Sequence, residues 1–106
     1  MSQRFRMAAL VLLATSMASP AFSQAPGADT YKAKCAMCHG ADGLAATPMA
    51  KSMKVVSFKD PTMTGASDAQ FIASTTNGKG KMPAYTGKLT DAQIKDVIAF
   101  IRTLQK

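Results

Sequence analysis

The chain has 106 residues, and its 13 Lys and Arg against 6 Asp and Glu give a formal net charge of +7 at pH 7. This length suits one small domain. The lysines are spread over residues 32–106 and aromatic residues make up only 7% of the chain, so the composition does not match a stripe that binds nucleic acid.

The N-terminal segment has the pattern of a secretory signal peptide. Arg4 and Arg6 precede a mainly apolar run over residues 7–18, and the small-residue sequence Ala-Phe-Ser follows at 21–23. This run is shorter than the roughly 20 apolar residues that span a bilayer. We predict cleavage after Ser23, which leaves residues 24–106 as one exported, periplasmic domain with a net charge of +5. An uncleaved membrane tether is the alternative.

The first predicted helix of this domain starts near Ala28 and leads into Cys-Ala-Met-Cys-His at residues 35–39. Cys35 and Cys38 can each add to a haem vinyl group as a thioether, and His39 can bind the iron. A thiol/disulfide redox pair also uses C-x-x-C, but it usually follows a strand, whereas the residues before Cys35 predict a helix. The chain has 2 Cys and 1 His, which is too few for a usual zinc site. The spacing therefore predicts one covalently attached haem c.

A loop and a short helix are predicted next. Gly40 and Gly43 release the chain from the first helix. Thr47 and Pro48 then suit the N-cap and first position of a short helix that runs through Met53.

Two capping boxes predict two longer helices. Ser67 with Gln70 starts the first of them, and Thr90 with Gln93 starts the second. Residues 94–104 of the second helix carry a one-sided apolar stripe, formed by Ile94, Val97, Ile98, Ile101 and Leu104, with Phe100 at its margin. Because no convincing strand pattern is present, the predicted class is all-α.

A haem iron bound by His39 needs a second axial ligand, and the chain has no second histidine. A methionine thioether is the best candidate. We predict Met82, which lies in an extended, glycine-rich strap (residues 77–85) just before a proline that keeps the strap out of a helix. Met63 is the runner-up. Met37 is locked between the two cysteines, and core packing accounts better for Met49 and Met53.

Together these motifs resemble those of the short monohaem c-type cytochromes, class I, of the bacterial and photosynthetic electron-carrier type. The similarity covers the mature domain through Gly27, Tyr31 and residues 35–40, 77–85 and 89–100. The resemblance implies a small cytochrome c fold of about four short helices around one haem. It implies that the first and last helices cross at Gly27 and Phe100. It also implies that the Pro48 carbonyl accepts a hydrogen bond from the His39 ring.

The expected function is one-electron transfer by a His/Met-ligated haem, in a soluble monomer that is not an enzyme. The expected partners are redox proteins with acidic docking faces, such as a cytochrome complex, a terminal oxidase, a reaction centre or a dehydrogenase. Lys79, Lys81 and Lys88 flank the strap and are the predicted docking residues, with Lys32 and Lys34 nearby in the first helix.

Two alternatives stay open at this point. A peroxidase-like haem enzyme or a gas sensor would need distal acid/base groups, and the chain has no histidine besides His39. An electron-transfer subunit bound within a larger oxidoreductase would share the same haem chemistry and differ only in its partner.

Overall fold

The computed structural model describes residues 25–106, and these residues form a helical domain. The predicted signal peptide, residues 1–23, lies outside the described part of the chain. Six helices are present in residues 25–106, namely α1 (Ala28–Lys34), α2 (Ala36–His39), α3 (Pro48–Ser52), α4 (Pro61–Thr64), α5 (Asp68–Asn77) and α6 (Asp91–Leu104). The only β-structure in this part of the chain is two isolated bridges. The all-α prediction is confirmed.

None of the helices in residues 25–106 combines the length and the apolar character needed to cross a membrane.

Side-chain caps begin three of the helices where the sequence predicts them. The Thr47 hydroxyl accepts a hydrogen bond from the backbone of α3 at 3.0 Å. Ser67 and Gln70 exchange bonds of 3.1 Å and 2.8 Å at the start of α5. Thr90 and Gln93 exchange bonds of the same lengths at the start of α6. Because these bonds satisfy amides that have no partner within the helix, they explain why the boundaries are readable from local sequence.

The helix count differs from the predicted four in two places. The first predicted helix is divided at Cys35, whose amide still donates to the Tyr31 carbonyl at 2.8 Å while α2 begins at the next residue. The second difference is α4, which the sequence analysis did not predict. Its N-cap is Asp60, which accepts a hydrogen bond from the Thr62 amide at 3.0 Å, and Pro61 is its first residue. With four residues, α4 is too short to show helical periodicity.

The first and last helices cross where Gly27 meets α6. Gly27 has a φ of +89°, and a Cβ placed on it would overlap the Asp96 carbonyl and lie 2.7 Å from the Val97 nitrogen. One turn into α1, the Tyr31 ring lies 5.2 Å from the Phe100 ring, centroid to centroid. The predicted crossing at Gly27 and Phe100 is therefore present.

The apolar stripe of α6 forms one side of the core. The buried residues of α6 are Ile94, Val97, Ile98 and Ile101, while Phe100 and Leu104 are partly buried against the same cluster. They pack against buried side chains from α1 and its C-cap, α5 and the loop before α4, namely Tyr31, Cys35, Phe58 and Phe71. Burying a side chain of this size contributes about 1.5–3 kcal/mol, so the stripe holds α6 to the rest of the domain.

The glycine-rich strap is folded more tightly than its sequence predicts. The Lys79 amide donates to the Met82 carbonyl at 3.1 Å, and the Met82 amide donates to the Lys79 carbonyl at 2.9 Å. The chain therefore makes a two-residue hairpin turn there. Gly80 occupies the first central position with a φ of +56°, which favours glycine. The strap then runs beside the end of α5, where the Tyr85 amide donates to the Thr75 carbonyl at 2.9 Å.

Candidate functional site

Two adjoining cavities, of about 770 Å³ and 590 Å³, lie between α2, α4, α5 and the strap. The residues that line both cavities are Cys35, His39, Val56, Met63, Lys79 and Met82. Each volume is within the 300–1,000 Å³ typical of sites for cofactors and small ligands. The larger cavity adds apolar walls from Phe58, Phe71 and Ile101.

The two cysteines lie at the end of α1 and in α2, one buried and one half-buried. Cys35 is 8% exposed, Cys38 lines the smaller cavity, and both thiols are free. Burial, with a contribution from the charge of Cys38, raises the pKa of the Cys35 thiol to about 11. Reactive thiol pairs instead have a lowered pKa. The electrostatics therefore count against a thiol/disulfide redox pair.

The His39 imidazole lies at the end of α2 and lines both cavities. Burial lowers its pKa, which favours the neutral form that binds metals. Nδ1 is buried and has no hydrogen-bond partner in the described part of the chain. The ring instead stacks on Phe58, with centroids 4.6 Å apart and planes 18° apart.

The resemblance implied a hydrogen bond from the His39 ring to the Pro48 carbonyl. This bond is not formed in residues 25–106, where Nδ1 of His39 is buried and has no hydrogen-bond partner. Pro48 is the first residue of α3. The start of that helix is tied to α2 through Thr47, whose hydroxyl donates to the Met37 carbonyl at 3.3 Å. The contact that the structure gives the imidazole is the Phe58 ring.

Two methionines reach both cavities, and their surroundings differ. Met82 lies in the strap turn, while Met63 lies in α4 and packs against the hydrophobic core cluster. Met82 is not among the residues packed against that cluster. Met53 lines only the smaller cavity, and the Met49 sulfur lies 3.7 Å from the Cys38 sulfur. Of the two methionines that line both cavities, Met82 is thus the one without a place in the core cluster.

The strap is held in place at both ends of its turn. A Cβ on Gly78 would lie 2.8 Å from the Met82 carbonyl oxygen, so only glycine permits this close approach. The Tyr85 hydroxyl donates to the Lys34 carbonyl at 2.9 Å and so ties the strap to α1. Asn77 is the last residue of α5, next to the C-cap Gly78, and this position supports a helix-ending role for it.

Val56 and Phe58 are cavity-wall residues that the sequence motifs did not indicate. Both belong to the loop between α3 and α4. The signal that could have found them is the run Val-Val-Ser-Phe at residues 55–58, which is unusually apolar for a loop. Phe71 of α5 also lines the larger cavity.

Positive charge surrounds the smaller cavity. Lys34, Lys54, Lys79 and Lys81 line it, and all four side chains belong to exposed residues. Lys88 lies outside the cavity, with its Nζ 6.0 Å from the centre of the Tyr85 ring. In the described part of the chain, no Asp or Glu lines either cavity.

These residues fit a haem on their own chemistry. Apolar walls suit its macrocycle, two thiols stand at one side, and a neutral imidazole and a thioether line the same space. Imidazole with thioether is a known axial pair for haem iron.

Comparison with known proteins gives the same result. A family described as cytochrome C oxidase, cbb3-type, subunit III, matches residues 22–101. Cytochrome c6 from Picosynechococcus sp. (strain ATCC 27264 / PCC 7002 / PR-6) is 39% identical, with 88% of this chain and 86% of the relative covered. Cytochrome c6 from Nostoc sp. (strain PCC 7120 / SAG 25.82 / UTEX 2576) is 36% identical, with 87% and 86% covered.

A solved structure, KustC0563 c-type cytochrome, matches with a TM-score of 0.69 and 27% identity, over 76% of this chain and 98% of that one. The fold is therefore the small cytochrome c fold, as the resemblance implied. The chain belongs to the c-type cytochromes, within the family that matches residues 22–101, and is a small monohaem member with one covalently attached haem c.

Proposed function

We propose that this protein is a one-electron carrier in which Cys35 and Cys38 hold the haem covalently and His39 and Met82 are the axial ligands of its iron. The observation that carries the proposal is that His39 and Met82 line the same two cavities, with both cysteines at their margin. The bound haem supplies the one-electron chemistry, since its iron alternates between the ferric and ferrous states.

The protein's own contribution is to hold the two axial side chains in place. His39 ends α2 and rests on Phe58, while the strap turn and the Tyr85 bond to α1 hold the backbone around Met82. Side chains held in this way need little movement when the charge at the site changes, and such preorganisation favours fast electron transfer.

A carrier fits the site better than the peroxidase-like enzyme or the gas sensor. Such proteins depend on polar distal groups that bind or protonate a ligand. His39 is the only histidine of the chain. Among the described residues, the ionisable side chains that line the cavities are the two cysteines, His39, one tyrosine and four lysines. This composition supports a protein that is not an enzyme.

We further propose that the mature protein works in the periplasm as a monomer and docks on acidic faces of redox proteins. The predicted signal peptide supports export. Lys79 and Lys81 line the smaller cavity and are exposed, so their charges lie beside the site. Suitable partners are a cytochrome complex, a terminal oxidase, a reaction centre or a dehydrogenase.

A second candidate is an electron-transfer subunit bound within a larger oxidoreductase. The description of the matched family, which names an oxidase subunit, favours it. Size-exclusion chromatography of the native complex from its source membranes and periplasm separates a free carrier from such a subunit.

Replacement of Met82 with Ala tests the axial ligand, and Met63→Ala is the matched control because Met63 lines the same cavities. Met82→Ala is expected to keep the covalent haem, lose the methionine-to-iron charge-transfer band at the red end of the visible spectrum, and become high-spin. Met63→Ala is expected to keep that band. If Met63→Ala loses the band and Met82→Ala keeps it, the assignment of Met82 is wrong.

A further inference from the structure

Phe58 is the side chain that the His39 ring rests on. It is 4% exposed, and its ring lies nearly parallel to the imidazole, 18° between planes with centroids 4.6 Å apart. Its contacts with the other two aromatic rings are tilted, at 6.4 Å from Tyr31 and 6.2 Å from Phe71. The face of Phe58 is thus turned to His39 and its margins to the core.

The backbone of Phe58 is held from two sides. Its amide donates to the Gly43 carbonyl at 2.9 Å, and its carbonyl accepts from Nε2 of Gln105, also at 2.9 Å. Gly43 leaves room for the ring, because a Cβ there would lie 2.8 Å from Cδ2 of Phe58. The ring therefore has little freedom to turn away from the imidazole.

Gln105, just past the end of α6, is itself held by Arg102. An Arg102 guanidinium nitrogen donates to Oε1 of Gln105 at 3.0 Å, and a second one donates to the Ala66 carbonyl at 2.6 Å. The guanidinium also pairs with Asp68 at 2.8 Å and lies 4.4 Å from the centre of the Phe71 ring. The last turn of α6 is in this way connected to the cavity wall.

The His39 ring lacks the usual means of fixing its plane. Metal-binding histidines generally donate their other ring nitrogen to a carbonyl or carboxylate, which sets the orientation of the ring. Nδ1 of His39 is buried and has no such partner in residues 25–106. The flat face of Phe58 is the contact that can take over this role.

We propose that Phe58 is a positioning residue that sets the plane of the His39 imidazole, and that Gln105 acts through Phe58 by holding its backbone. The inference rests on the proposed function in one respect, the assignment of His39 as an axial ligand. Phe58 does not act as a ligand. Its effect is on the orientation of the axial imidazole, which together with the orientation of the axial thioether decides how unpaired spin is shared among the haem methyl groups of a ferric low-spin protein.

Proton NMR of the ferric holoprotein measures this orientation through the order and spread of the haem methyl shifts. Phe58→Leu keeps an apolar side chain but removes the flat face, so we expect a changed methyl order with the haem still attached and the methionine charge-transfer band retained. The control is Phe100→Leu, which removes another aromatic ring packed against the core, at a residue that lines neither cavity. We expect it to keep the wild-type methyl order.

Gln105→Met provides a second test if Phe58→Leu does not yield holoprotein. It removes the donor to the Phe58 carbonyl, keeps the length of the side chain, and alters no residue that lines either cavity. We expect the haem methyl shifts to change in the same direction as in Phe58→Leu, but by a smaller amount.

The inference is overturned if Phe100→Leu changes the methyl order as much as Phe58→Leu does. It is also overturned if Gln105→Met leaves every methyl shift at its wild-type value. The wild-type spectrum separates this result from a failure of the proposed function. If the ferric wild-type protein has no hyperfine-shifted resonances from His39, the ligand assignment fails and the inference fails with it. If those resonances are present and do not respond to Phe58, only the inference fails.

Discussion

Gly27→Ala is expected to destabilise the protein without changing its haem chemistry. The new Cβ would overlap the Asp96 carbonyl and approach the Val97 nitrogen to 2.7 Å, so α1 and α6 must separate. Overpacking of this kind costs about 1–3 kcal/mol. The φ of +89° adds strain of about 1–2 kcal/mol for any residue with a side chain. The free energy of unfolding should therefore fall by about 2–5 kcal/mol.

Gly87→Ala is the matched control for this prediction. Gly87 also has a positive φ, +76°, but a Cβ there meets nothing within 4 Å. Gly87→Ala should therefore lower the free energy of unfolding only through backbone strain. The difference between the two variants then measures the cost of forcing α1 and α6 apart. That difference corresponds to a Tm separation of at least about 4 °C, which thermal unfolding followed by circular dichroism would detect. Equal losses in both variants, or an altered visible spectrum in Gly27→Ala, would refute the reasoning.

Two further predictions concern the docking surface and a helix cap. Changing Lys79 and Lys81 to Glu should slow electron transfer to a physiological partner at low salt and have little effect at high salt, because exposed charges are screened over roughly 8 Å at physiological ionic strength. The same charge change at Lys95 and Lys106, which line neither cavity, should slow it less, and equal effects at the two places would contradict the docking surface. Thr90→Ala should lower the free energy of unfolding by about 1 kcal/mol in urea titrations by removing the cap of α6, and no change would count against that cap.

The features that the sequence predicted well depend on contacts between near neighbours in the chain. A capping box such as Thr90 with Gln93 is complete within four residues, so its bonds in the structure match its sequence pattern. The apolar stripe of α6 is likewise a property of one helix, and its residues Ile94, Val97, Ile98 and Ile101 are all buried. The C-x-x-C-H run is just as local, and it predicted the haem that the comparisons show.

The predictions that differed from the structure depend on what lies beside a segment. The strap was expected to be extended, and it instead makes a hairpin turn because Gly80 adopts a positive φ and Gly78 approaches Met82 closely. The expected Pro48 contact is replaced by the stack on Phe58, a residue 19 positions beyond His39 in the chain. Helix α4 was missed because four residues carry no measurable periodicity.

The sequence by itself determined the fold class, the cofactor and the starts of three helices, because each is encoded in bonds or spacings that span only a few residues. Only the tertiary structure decided which side chains surround the haem cavities. Phe58 reaches His39 because Gln105, Gly43 and the aromatic core hold it there, and these groups are far apart in the chain. Packing between distant segments depends on shape and on close approach, and local periodicity contains no information about either.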